Sequence, residues 1–190
     1  MFSEACTIAF SGEICSGKSS VTKVLVEQYG FSRVSTGEYL FNRAIQEGLN
    51  TERQSLQEFG DMLDQETGGY WLVDLVENID WEGKEPPKLI LDSVRKDFQI
   101  SILKDKYSGI FLHVHLEAPD NILKKRFYAR KKAKENYDQH ITYEEAKQNP
   151  TEAKVGSLLP LADIKFDTEE YNSQDIANQV IETIKSILPR

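Results

Sequence analysis

Gly12-Glu13-Ile14-Cys15-Ser16-Gly17-Lys18-Ser19 is the stretch whose reading decides the fold. It matches G-x-x-x-x-G-K-[ST] at every fixed position, and each fixed residue has a physical task. The two glycines permit backbone angles that turn successive N–H groups inward around an anion. The helix expected to follow aims its positive end at the same point. Lys18 can reach the terminal phosphates of a nucleoside triphosphate, and the Ser19 hydroxyl is a hard oxygen ligand suited to magnesium. A chance match to four fixed positions in a chain of this size arises at roughly the one-percent level. The expected ATP-binding residues are therefore Gly12, Glu13, Ile14, Cys15, Ser16, Gly17, Lys18, Ser19 and Ser20, with Mg2+ arriving alongside the ATP.

The context on both sides agrees. Ala5 to Phe10 is a short apolar run, expected to be a buried strand, and Ser19 to Tyr29 carries Val21, Val24 and Leu25 at helical spacing. Further strands are expected at Phe31 to Val34, Lys88 to Leu91, Ile110 to Leu116 and Ala162 to Phe166. Helices are expected at Glu38 to Gly48, Thr51 to Thr67, Tyr70 to Ile79, Phe98 to Lys106, Asp120 to Lys134, Tyr143 to Gln148 after a Thr142 cap, and Gln174 to Leu188. Trp81 to Pro87 reads as a polar turn. Five strands alternating with helices predict an α/β protein with a parallel sheet covered on both faces.

The chain of 190 residues fits one domain and carries a net charge of −8. Phosphate neutralisation needs a basic face, so that charge argues against a general nucleic-acid binder. No apolar run is long enough to span a bilayer, and Met1-Phe2-Ser3-Glu4 has no charged region ahead of a hydrophobic core. Cys6 and Cys15, flanking a strand and its turn, are poorly placed for a disulfide; reduced thiols and a cytoplasmic setting are expected.

Beyond the phosphate loop, several landmarks follow in order: Val34-Ser35-Thr36-Gly37-Glu38, then Leu89-Ile90-Leu91-Asp92-Ser93-Val94-Arg95, then Arg126 with Arg130, then Ala162-Asp163. With these, nearly the whole chain resembles the adenylate-kinase-like P-loop nucleotide kinases, which include nucleoside monophosphate kinases and proteins similar to dephospho-CoA kinase. The resemblance implies a three-layer α/β/α P-loop NTPase fold with a parallel five-stranded sheet in the order 2-3-1-4-5. Within a single P-loop kinase domain spanning 1–190, it implies an acceptor-binding helical arm over 38–79 and a lid over 120–154. It implies that Lys18, Asp92, Arg126 and Arg130 are catalytic and that Asp92 orients magnesium's water shell beside Ser19. Thr36, Gly37, Arg43 and Arg95 become the expected acceptor-binding residues.

Each landmark also has its own physics. Ser35-Thr36-Gly37 opens a helix and offers a second anion-friendly N-terminus, or simply a helix cap. Asp92 ends an apolar strand, where open parallel sheets place ligand-binding groups, although an aspartate there can also cap a turn. Arg126 and Arg130, four apart, share one helix face among Lys125, Lys131, Lys132 and Lys134. Such a face can close over a transferring phosphoryl group, stand solvated, or serve as a patch for RNA or acidic lipid; the lid reading is preferred. Glu144, Glu145 and Glu152 could pair with this basic helix, but solvation is the preferred expectation. His113 and His115 share one strand face and are expected to be packed side chains rather than metal ligands. Trp71 and Trp81 read as core or as acceptor-pocket walls. Cys15, close to a helix N-terminus, reads first as a small loop residue and second as a redox-sensitive thiol.

In the resembling family an arginine five residues after the threonine holds the acceptor's phosphate; here that position is Phe41, with Arg43 the nearest arginine. Two residues along a helix is a large rotation, so Arg43 is not equivalent by position. The expected activity is transfer of the γ-phosphate of ATP to a nucleotide-like small molecule, a nucleoside monophosphate first and a hydroxyl acceptor, as in dephospho-CoA, second. A hydroxyl acceptor would ask for a base, with Asp92 or Glu38 as candidates. A slowly hydrolysing ATP-binding switch is the expectation from another class. No nucleic-acid or membrane partner is expected.

Overall fold

The computed structural model describes residues 4–78, 87–92, 94, 96–133, 141–148 and 154–187. Strand β1 (Cys6–Ser11) leads into the phosphate loop and helix α1 (Lys18–Tyr29). Then come β2 (Ser32–Ser35), α2 (Thr36–Gln46), α3 (Arg53–Thr67), α4 (Trp71–Glu77), β3 (Lys88–Asp92), α5 (Asp97–Lys106) and β4 (Ile110–Glu117). The chain continues through α6 (Asp120–Ala133), α7 (Tyr143–Lys147), a 3-10 helix (Val155–Leu161), β5 (Ile164–Asp167) and α8 (Ser173–Ile187). The sheet has five strands in the order β2-β3-β1-β4-β5, and every neighbouring pair is parallel. This is the expected P-loop kinase-like fold.

Alternation along the central strands sends side chains to two separate cores. Cys6, Ile8 and Phe10 face α1 and α8, packing with Val21, Leu25, Val180, Ile181 and Ile184. Ala9 of β1, with Leu89 and Leu91 of β3, faces the other way, onto Phe59, Leu63, Trp71, Ile100, Leu103 and Leu158. Both faces of the sheet are therefore covered, which is why its strands read as nearly unbroken apolar runs.

Element ends depart from expectation for local reasons. Helix α1 closes on Gly30 at φ 69, where both the Gly30 and Phe31 N–H groups donate to the Leu25 carbonyl. Phe31 is used in that closure and in the core, so β2 begins at Ser32. Helix α2 starts two residues early because Ser35 caps it, accepting from the Glu38 N–H at 3.2 Å. The stretch Val155–Leu161, given no element from its sequence, forms a 3-10 helix containing Pro160 and burying Leu158. That helix displaces the start of β5 from Ala162 to Ile164. Within the expected polar turn only Pro87 is described; Ile79 and Trp81 lie outside the described residues, as do Ser93, Arg95, Lys134 and Glu152.

Helix α3 is pinned to α4 and to the start of α5 through Asp64, buried at 7 % exposure. Its carboxylate accepts from the Trp71 indole at 2.8 Å, from Lys96 Nζ at 2.6 Å and from Gln99 Nε2 at 3.1 Å. Lys96 also reaches Asp61 at 2.5 Å, so one ammonium joins two turns of α3 to the start of α5. Removing the carboxylate takes an acceptor from three donors, of which the charged one, Lys96, keeps Asp61. Asp64→Ala is expected to lose about 2–4 kcal/mol in urea denaturation, and Asp64→Asn distinctly less.

Candidate functional site

The phosphate loop is built by close approach. Gly12, at φ 135, follows β1 where the end of β4 crosses it; a Cβ there would lie 2.1 Å from the Leu116 carbonyl oxygen and 2.7 Å from Ser16 Oγ. Only glycine fits. Cys15 takes the left-handed conformation at φ 64, and Gly17, at φ 95, caps α1. Lys18 folds across the loop, donating to the Gly12 carbonyl, to the Glu13 carbonyl at 2.9 Å and to Ser16 Oγ at 3.3 Å. Ser19 and Ser20 stand exposed at the first turn of α1. An exposed hydroxyl there suits a magnesium ion that brings its remaining ligands as phosphate oxygens and water. Among the described residues there is no cluster of three His, Cys, Asp or Glu side chains to hold a metal by itself.

Helix α6 brings both of its arginines to this loop. Arg126 donates to Thr168 Oγ1 and to the Thr168 carbonyl, each at 2.7 Å, and reaches the Cys15 carbonyl at 3.5 Å. Thr168 in turn hangs from the Glu117 carbonyl at the end of β4, through its N–H at 2.8 Å, and its side chain lies against Gly17. Arg130 lies beside the Cys15 thiol. Burial pushes that thiol's pKa up, while Arg130, Lys18 and Arg126 pull it back only in part. The thiol is thus kept in its protonated form, which favours the small-loop-residue reading of Cys15 over the redox one.

Helices α6 and α7 share a small core of Leu123, Phe127, Tyr143 and Ala146 that packs on Ile14 and Cys15 of the loop. Charge seams surround it: Tyr143 Oη and Lys147 Nζ both donate to Asp120, at 2.9 and 2.6 Å, and Lys147 lies 3.4 Å from Glu13. The expectation that Glu144 and Glu145 are merely solvated is corrected here. Glu144 pairs with Lys124 of α6, and Glu145 closes a capping box with Thr142. Glu144 lies opposite Lys124 because α6 and α7 pack side by side, which the charge pattern alone did not decide.

Beyond the phosphate loop, the β2–β3 register sets Ser35 beside Asp92, and the β1–β3 register sets Leu91 beside Ala9. Parallel registry thus brings the ends of β1, β2 and β3 to one edge, with Thr36 buried at the first turn of α2 and Gly37 exposed next to it. Arg43 is committed elsewhere. Its Nε donates to Glu47 at 2.8 Å, its Nη1 to the Tyr39 hydroxyl at 3.1 Å, and its guanidinium sits over the Phe59 ring at 5.9 Å. Phe41 is 42 % exposed. Trp71 is a core residue, stacked on Tyr39 with ring centroids 5.5 Å apart.

His113 and His115 are buried, as expected of packed strand residues, and both bind the Ser11 hydroxyl. Sequence reading did not find Ser11, Thr168 or Lys147; none lies in a motif, Thr168 and Lys147 come from distant elements, and the partners of Ser11 lie more than a hundred residues away. Burial holds the His113 pKa down at about 4.

The chain from residue 8 to residue 148 matches the family described as AAA domain. No curated protein matches the chain. Among solved structures, the YorR protein from Bacillus subtilis in complex with phosphorylated GDP aligns at 17 % identity and TM-score 0.56, over 94 % of this chain and 95 % of its own. A sugar kinase from Janibacter sp. HTCC2649, unliganded, aligns at 14 % identity and TM-score 0.55, over 96 % of this chain and 95 % of its own. At such identities the likeness is one of fold.

Gly12→Ala is expected to strain the loop by about 1–3 kcal/mol and to weaken ATP binding by roughly one to two orders of magnitude, read by calorimetric titration. Between pH 6.5 and pH 4 the unfolded chain takes up a proton that folded His113 refuses. Acidification across that window is therefore expected to remove up to about 3 kcal/mol of stability from this residue, measured by urea denaturation at stepped pH.

Proposed function

The chain belongs to the AAA-domain family whose model it matches from residue 8 to residue 148, and we propose that it moves the γ-phosphate of ATP to a small, nucleotide-like acceptor. In fold it is a P-loop kinase. The observation that carries the proposal is the convergence of three cations from two elements on one turn of backbone: Lys18 spans the loop while Arg126 and Arg130 meet it at Cys15. Phosphoryl transfer spreads negative charge over the equatorial oxygens, and fixed cations stabilise it.

In this reading Lys18 exchanges the Gly12 and Glu13 carbonyls for the β- and γ-phosphates, and the loop N–H groups hold the same oxygens. Magnesium, when bound, would neutralise the phosphates, with Ser19 as its protein ligand and Asp92 orienting its water. Arg126 and Arg130 offset the charge of the transferring group, and the packed lid of α6 and α7 over Ile14 and Cys15 excludes water. Thr36, Gly37 and Arg95 are the proposed acceptor contacts.

For the acceptor, a nucleoside monophosphate is the first reading of the sequence. The contacts that Arg43 makes with Glu47, Tyr39 and Phe59 favour the second, a hydroxyl on a nucleotide-like molecule, since a phosphate would compete with them for the guanidinium. Both acceptor chemistries are compatible with the fold: a similar structure holds phosphorylated GDP and another is described as a sugar kinase.

Coupled ADP production, screened over nucleoside monophosphates and dephospho-CoA, tests the assignment. Turnover is expected with a hydroxyl acceptor, and Lys18→Ala is expected to lower it about a hundred- to a thousandfold while circular dichroism stays unchanged. ATP binding without ADP from any acceptor would replace the kinase reading with the ATP-dependent switch.

A further inference from the structure

Ser11 closes β1 one residue before the phosphate loop, and the β1–β4 register sets Ser11 beside His115 and Ala9 beside His113. The Ser11 hydroxyl lies 2.7 Å from His113 Nε2 and 2.7 Å from His115 Nδ1. All three side chains are buried, His113 completely. Nothing in the phosphate chemistry above uses them.

Both imidazoles are neutral near pH 7, because burial lowers the pKa of each. The charged groups around them roughly balance: Lys104 and Asp163 face His113, while Glu117, Lys18, Glu13 and Lys165 face His115. The two rings are the hydrogen-bond partners of Ser11 Oγ among the described residues, so its one proton goes to one imidazole while it accepts from the other, and the chain runs in one of two directions. If His115 Nδ1–H donated to Ser11 and Ser11 to His113 Nε2, the His113 proton would sit on Nδ1. That nitrogen is buried with no hydrogen-bond partner. The Leu161 carbonyl close to this ring does not meet it in hydrogen-bonding geometry and accepts the Lys104 ammonium at 2.7 Å. A buried N–H without an acceptor is costlier than a bare lone pair, so the opposite direction is favoured.

We propose that His113, Ser11 and His115 form a directional hydrogen-bond relay that positions the phosphate loop: His113 Nε2–H donates to Ser11, Ser11 donates to His115 Nδ1, and His115 is held as its Nε2–H tautomer next to Lys18 and Glu13. These are positioning residues. They act through Ser11, whose successor Gly12 supplies a carbonyl that seats Lys18. The effect on ATP rests on the proposed function, whereas the tautomers are a property of the free protein.

Long-range proton–nitrogen NMR on histidine-labelled protein without nucleotide is expected to show both rings neutral with the proton on Nε2. An Nδ1–H tautomer at either ring, or a charged ring at pH 7, overturns the relay. Ser11→Ala is expected to mix the tautomers, shift the Gly12 and Gly17 amide signals, and raise the KM for ATP about tenfold while kcat stays within about twofold. Ser11→Thr, which keeps the hydroxyl, is expected to restore both. Unmixed tautomers, or an unchanged KM despite mixed tautomers, would reduce the cluster to core packing. Should Ser11→Ala fail to fold, the wild-type tautomers still decide the direction. If the wild-type protein turns over no ATP, the kinase reading fails separately from the relay.

Discussion

The missing Cβ of Gly12, pressed against the carbonyl of Leu116, is the constraint on which the nucleotide edge depends. It allows β1 to end directly beneath the tip of β4, so the loop leaves the sheet where β4 also ends. From that crossing the chain of contacts is continuous. The Glu117 carbonyl holds Thr168, Thr168 holds Arg126, and Arg126 reaches back to the loop at Cys15. A side chain at position 12 would separate the two strand ends and disturb each link. The loop is a backbone object, and its cations are delivered to it by backbone carbonyls as much as by helices.

Helices α6 and α7 owe their position over the loop to apolar contact. Its ion pairs, Lys124 with Glu144 and Lys147 with Asp120, lie between exposed side chains, where solvent and salt leave little net energy. Four buried residues, set against Ile14 and Cys15, provide the packing instead. Any shift of the loop on taking up phosphate is therefore felt first by Phe127 and Tyr143, and through them by α6, which carries both arginines. Coupling of this kind needs only packed side chains with no room to yield.

Much of the architecture was legible because it is written locally. The G-x-x-x-x-G-K-S run, the apolar strands and the helical stripes each occupy a handful of consecutive residues, and the sheet order followed from the family they resemble. Boundaries shifted where a single residue served two ends, as with Phe31 at the close of α1, or where a tight helix formed around Pro160. What could not be read was pairing across distance. Ser11 meets His113 over a separation of 102 residues, and Arg126 meets Thr168 over 42. Arg43 meets Tyr39 and Glu47 at helical spacing along α2 itself, but its position over the Phe59 ring depends on how α2 lies against α3.

The Trp71 indole of α4, stacked on Tyr39 of α2 and hydrogen-bonded to Asp64 of α3, joins three helices. An indole's emission depends on the polarity around its ring and on groups that quench it at contact. The chain has two tryptophans, so replacing Trp81 leaves one intrinsic fluorophore packed where α2, α3 and α4 meet. The protein thereby carries its own optical gauge of how those three helices sit against one another.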